Sequence, residues 1–79
     1  MRIDKFLKIS RIIKRRTVAC DACEQGKVMI NGKVAKPSSD VDVGDTITVT
    51  FGEKAINVRV EKITEHALKA DASDLYTVL

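Results

Sequence analysis

A chain of 79 residues and 8.7 kDa has room for one small core and little room for a second core or a deep enzymatic pocket. Its 44% hydrophobic and 32% charged residues place it among folded domains and outside the disordered class. The net charge of +3 hides a split: residues 1–36 hold ten Lys and Arg against three acids, or +7, while residues 37–79 hold four against eight, or −4, so one face suits a polyanion.

The basic end comes first. Ile3, Phe6, Leu7 and Ile13 recur at intervals of three, one and six, while Arg2, Lys5, Lys8 and Arg11 recur every three residues. One side of a helix is therefore apolar and an adjoining side cationic. The next segment, Thr17 to Gln25, puts Val18, Ala19, Ala22 and Cys23 on one helical face and stops at Gly26, a residue able to take the left-handed conformation that closes a helix. Two short helices joined near Ser10 to Lys14 are predicted.

Lys14, Arg15 and Arg16 stand at the start of the second helix, where the backbone dipole and free N–H groups already make a positive end. Three cations there cost stability unless an anion arrives. A phosphate backbone satisfies both the side chains and the helix end. A run of charge is most often a solvated face, but this unfavourable placement and the matching row from Arg2 point to a binding surface.

After Gly26 the period changes. Lys27 to Ala35 sets β-branched residues on both sides of Asn31-Gly32, a strong signal for a tight hairpin with positive φ at both turn residues. Lys33 lies just beyond that turn, and Lys36-Pro37-Ser38-Ser39 breaks the strand, because Pro lacks a donor for the ladder. Lys33 and Lys36 extend the basic surface onto the hairpin. Residues 40–45 alternate acidic and apolar side chains before a Gly44 turn, and Thr46 to Phe51 follows as a strand with Ile47, Val49 and Phe51 inward. Gly52-Glu53 turns the chain into Ala55 to Val60, whose Ile56, Val58 and Val60 share a face, so the two runs pair antiparallel. In the tail, Ala67 to Leu75 suits a short helix and Tyr76 to Leu79 an extended end.

This ordered set of features resembles the S-four RNA-binding domain, a module first named from a small-subunit ribosomal protein. The resemblance rests on Arg2-Ile3-Asp4-Lys5-Phe6-Leu7, the stretch Ser10 to Thr17, the stretch Gln25 to Gly32, and Asp42-Val43-Gly44-Asp45. It implies an α+β fold of the alpha-L type, with two short N-terminal helices packed on a small antiparallel sheet. One domain spans residues 1–79, with the RNA-binding module at about 1–62 and an extension at 63–79. Leu75-Tyr76-Thr77-Val78-Leu79 and the short length resemble the stand-alone bacterial members that act in ribosome-associated quality control.

The same resemblance implies a cytosolic, monomeric protein that binds rRNA of the obstructed large ribosomal subunit and peptidyl-tRNA, and supports an RqcH-type protein in alanine tailing of the nascent chain. It places Arg2, Lys5, Arg11, Lys14, Arg15, Arg16, Lys33 and Lys36 on or near the RNA face, which Lys8 joins through the helical row. Arg2 and Arg16 are the better candidates for fixed phosphate contacts, since guanidinium presents a planar fork. The alternative within the family is a heat-shock-type protein that recycles stalled large subunits.

Other chemistry has weaker support. Cys20 and Cys23 lie three apart on a helix, without a second such pair and with His66 as the only histidine, so they read as packing thiols in place of a metal or redox site. Asp40, Asp42 and Asp45 lack a paired nucleophile or a phosphate loop and read as turn formers. No enzyme activity and no cofactor are expected, and no apolar run is long enough to span a bilayer. A DNA-binding helix-turn-helix is the rival class, but its recognition helix would carry Asp21 and Glu24 where a DNA face should be basic. With Phe6 and Phe51 assigned to core faces, a base-stacking platform is unsupported.

Overall fold

Helix α1 (Ile3–Ile9) forms where Ile3, Phe6 and Leu7 fall on one face, and all three are fully buried. The chain leaves it through Ser10, whose hydroxyl donates to the Leu7 carbonyl at 3.3 Å, and through Arg11 at φ 63°. Helix α2 (Arg16–Glu24) buries Ala19 and Cys23, one turn apart, and ends at Gln25 followed by Gly26 at φ 75°. The conformation that lets glycine close a helix is thus present where the sequence places it. These features belong to a computed structural model that describes residues 1–65 and 72–79.

Five strands follow: β1 (Val28–Ile30), β2 (Lys33–Val34), β3 (Thr46–Phe51), β4 (Lys54–Val60) and β5 (Tyr76–Val78), in the order β2-β1-β3-β4-β5, with every pair antiparallel. The Asn31-Gly32 turn has φ of 52° and 81°, the left-handed pair that matches the twist of a tight hairpin. Register brings Val28 opposite Val49, Ile30 opposite Ile47, and Ile47 opposite Val58, so one face carries a continuous β-branched surface. The two helices close over that face. Ile3, Phe6, Leu7, Ile13, Ala19 and Cys23 join Val28, Val41, Ile47, Val49, Val58, Val60 and Leu75 in one core. The fold is the α+β arrangement that the sequence implies.

Two apolar residues depart from expectation. Phe51 has the same parity as buried Ile47 and Val49, yet it is 48% exposed. It sits at the last position of β3, opposite Lys54, and lines an open groove with Val18, Asp21 and Ala22 of α2. Val18 is 49% exposed because Ala19 and Cys23 hold the inward line of α2. Of the helix expected over Ala67–Leu75, Ala72–Leu75 forms a 3-10 turn; the remainder lies outside the described residues, as does His66. The tail itself is extended and pairs Val58 with Val78 and Val60 with Tyr76.

Candidate nucleic-acid interface

The start of α1 is clamped by the loop after β2. The N–H of Ile3 donates to the Ser39 carbonyl at 2.8 Å, that of Asp4 to the Pro37 carbonyl at 3.4 Å, and that of Val41 to the Met1 carbonyl at 2.8 Å. Lys36 and Ser39 close this loop locally, the Lys36 N–H donating to the Ser39 hydroxyl at 2.9 Å. Arg2 and Lys36, separated by 34 positions, therefore line the same open groove of about 580 Å3, together with Cys20, Val34 and Pro37. The fold in this way sets Arg2, before α1, beside Lys36 in the loop after β2.

Asp4 is the centre of this region. Its side chain is only 3% exposed, and its carboxylate accepts from Arg2 Nη2 at 3.1 Å and Arg16 Nη2 at 3.4 Å. It also accepts the Lys5 backbone N–H at 2.8 Å. Arg2 and Arg16 remain about half exposed, so each guanidinium meets the carboxylate with one edge and keeps N–H donors towards solvent. One carboxylate against two guanidiniums leaves a net positive pair. No residue count in the sequence shows this link, because Asp4 is then merely one acid in a basic row.

The other candidates divide in two. Lys5 reaches Glu65 in a partly exposed ion pair, which draws it towards the acidic half. Lys8, Arg11, Lys14, Arg15, Lys33 and Lys36 are exposed and form no ion pair with any described residue. Lys8 stands in the last turn of α1, a placement the helix dipole favours. Arg15 is the N-cap of α2, with no side-chain cap and no acid in the first turn. Among the described residues, the positive helix end is thus met only by the shared Asp4 carboxylate, through Arg16.

Arg11 occupies the left-handed region, where a non-glycine residue is strained by about 1–2 kcal/mol. Position and charge together make it a functional candidate, since glycine would serve the backbone better. The nearby hydroxyls differ in access: Ser10 is buried and bonded to its own helix, while Thr17 and Ser38 are exposed and open to phosphate.

The thiols are held protonated. Burial, followed by the Asp4 charge, pushes Cys23 up to about 11, and partial burial with Glu24 raises Cys20. The neighbouring fields disfavour thiolate, the form that metal binding and disulfide exchange both require. Among the described residues no three metal-ligating side chains converge, and no helix is long and apolar enough to cross a membrane.

The family pattern of the S4 domain matches residues 1–47, which hold both helices and the first hairpin. The RQC P-site tRNA stabilizing factor of Bacillus subtilis is 51% identical over all of this chain and 92% of its own length. The protein of the same name from Listeria innocua is 46% identical over all of this chain and 86% of its own. Among solved structures, the trimeric heat shock protein 15 of Vibrio cholerae superposes with a TM-score of 0.91 at 36% identity, covering all of this chain and 81% of that one. With helices, clamp and hairpin in the S4 arrangement and a relative half identical from end to end, the chain belongs to the S4 domain family and, within it, to the RQC P-site tRNA stabilizing factors.

Proposed function

We propose that this chain is a non-enzymatic RNA-binding protein that acts on the large ribosomal subunit during ribosome-associated quality control. Its basic face meets rRNA and the peptidyl-tRNA, and its presence there supports an RqcH-type protein in adding alanine to the stalled nascent chain. The RNA-binding module takes about residues 1–62, with 63–79 as an extension, and the protein works as a monomer in the cytoplasm. The observation that carries this is the Arg2–Asp4–Arg16 cluster beside Lys14, Arg15 and Lys36, cations that the described chain leaves without full neutralisation. The name borne by its relatives, P-site tRNA stabilizing factor, agrees in kind.

Recognition on this face runs through phosphate positions and RNA shape. The charged groups around Asp4 are guanidiniums, Phe6 is buried, and the half-exposed Phe51 lies with Val18, Ala22 and Thr50, outside the groove that holds Arg2 and Lys36. Arg2→Ala and Arg16→Ala each weaken binding to purified large ribosomal subunits or to tRNA by about 1–3 kcal/mol, as for lost charge-assisted contacts. The slope of affinity against salt also becomes shallower, by about 0.7–0.9 per lost phosphate contact. Co-sedimentation and filter binding across a salt series measure both. Unchanged binding in both variants, or equal binding to duplex DNA at matched salt, refutes the assignment. Recycling of stalled large subunits, the heat-shock-type alternative, is favoured by the likeness to heat shock protein 15; intact subunit binding without any effect on alanine tailing would select it.

A further inference from the structure

We infer that Asp4, a buried acid beneath the basic face, is a positioning residue for RNA: it holds the guanidiniums of Arg2 and Arg16 side by side before any nucleic acid arrives. This rests on the RNA-binding role proposed above and adds to it a residue whose own charge has the wrong sign for contact with phosphate.

The physical case begins with repulsion. Two guanidiniums brought to one spot repel each other, and in a flexible state each would turn to separate solvent. The Asp4 carboxylate, 3% exposed, stands between them at 3.1 Å and 3.4 Å and relieves that repulsion. Its Oδ1 also accepts the Lys5 N–H at 2.8 Å, which fixes the carboxylate on the first turn of α1. Arg2 lies just before α1 and Arg16 begins α2, so one carboxylate also ties the two helices at the point where the RNA face crosses between them. The side chains of Arg2 and Arg16 are about half exposed and each gives one Nη2 to Asp4, so two such forks held together suit one phosphate or two adjacent ones. Pre-ordering the forks removes a cost that binding would otherwise carry, since a long side chain loses its rotamer freedom when it is fixed.

This role makes a prediction opposite in sign to simple charge counting. Asp4→Asn changes the shape of the side chain little and raises the net charge by one, so a diffuse electrostatic surface would bind RNA more tightly. A positioning role requires the reverse. The amide turns an N–H towards one guanidinium, the pair separates, and affinity for large ribosomal subunits falls at least about tenfold despite the added positive charge.

The test compares the full chain with Asp4→Asn, Arg2→Ala, Arg16→Ala and the double variant Asp4→Asn/Arg16→Ala, using purified large ribosomal subunits and tRNA as probes. Expected is a loss of affinity in each single variant, and a cost of Arg16→Ala that shrinks at least about threefold once Asp4 is replaced, because the two act as a unit. If the Arg variants bind like the parent, the RNA-face assignment itself fails. If they lose binding while Asp4→Asn binds as well as or better than the parent, the positioning role alone is overturned. Should Asp4→Asn not fold, side-chain relaxation of the free parent protein decides: restricted Arg2 and Arg16 Nε–H vectors beside a mobile Arg15 support the role, and three equally mobile arginines overturn it.

Discussion

The helical end and the sheet end of this molecule treat charge in opposite ways. On the sheet side, acids are used locally: Asp45 accepts from Asn31 Nδ2 at 3.0 Å and from the Asp42 N–H at 2.8 Å, fixing the turn into β3. Glu61 accepts from Arg59 Nε at 2.9 Å, and this hydrogen bond, with one to Thr77, holds its carboxyl below the ordinary carboxylate range. On the helical side, Arg2 and Arg16 share one carboxylate, and Lys14 and Arg15 have none among the described residues. The cations left unpaired on the helical side are the ones to which the proposed RNA contact is assigned. That contrast is more informative than a net charge of +3, which averages the two ends away.

The largest disturbance should come from the shared core, which would abolish the contrast altogether. Phe6 is fully buried between α1 and the sheet, and Phe6→Ala should cost about 3–5 kcal/mol by loss of transfer energy and creation of a cavity. For a domain of this size that is most of the stability, so urea denaturation should show a population unfolded near room temperature, with RNA binding lost in proportion.

A smaller and more diagnostic change separates stability from function on the basic side. Arg11→Gly relieves the backbone at φ 63° and should raise stability by up to about 1 kcal/mol, part of the relief being offset by the greater freedom of glycine in the unfolded chain. Affinity for large subunits should fall at the same time. A variant that is both more stable and equally tight would show that Arg11 is only a tolerated strain.

The smallest effect is expected on the sheet side. Lys54 and Lys62 are exposed cations of the acidic half, and their replacement by Ala should leave subunit affinity and its salt slope within error. A loss comparable to that of Arg16→Ala would extend the RNA surface across the sheet and erase the distinction between the two ends.

Much of this architecture was legible in advance because it depends on near neighbours. The period of Ile3, Phe6 and Leu7, the Asn31-Gly32 turn and the closure at Gly26 are local choices, and a side chain within a few positions decides each. Exposure was less legible. Parity puts Phe51 on the core face, but whether that position is covered depends on how the helices pack, which no window of sequence encodes. The left-handed Arg11 carried no signal either, since nothing in its residue type favours that conformation.

What the sequence determined by itself was the order of the elements, the concentration of cations before residue 37, and the family to which that order belongs; all three are set by composition and local periodicity. Tertiary structure decided which cations found partners far along the chain. Lys5 met Glu65 across 60 positions, and Asp4 met Arg16 across 12. Coulombic pairing depends on distance in space, and that distance exists only once α1 and α2 have packed on a common sheet.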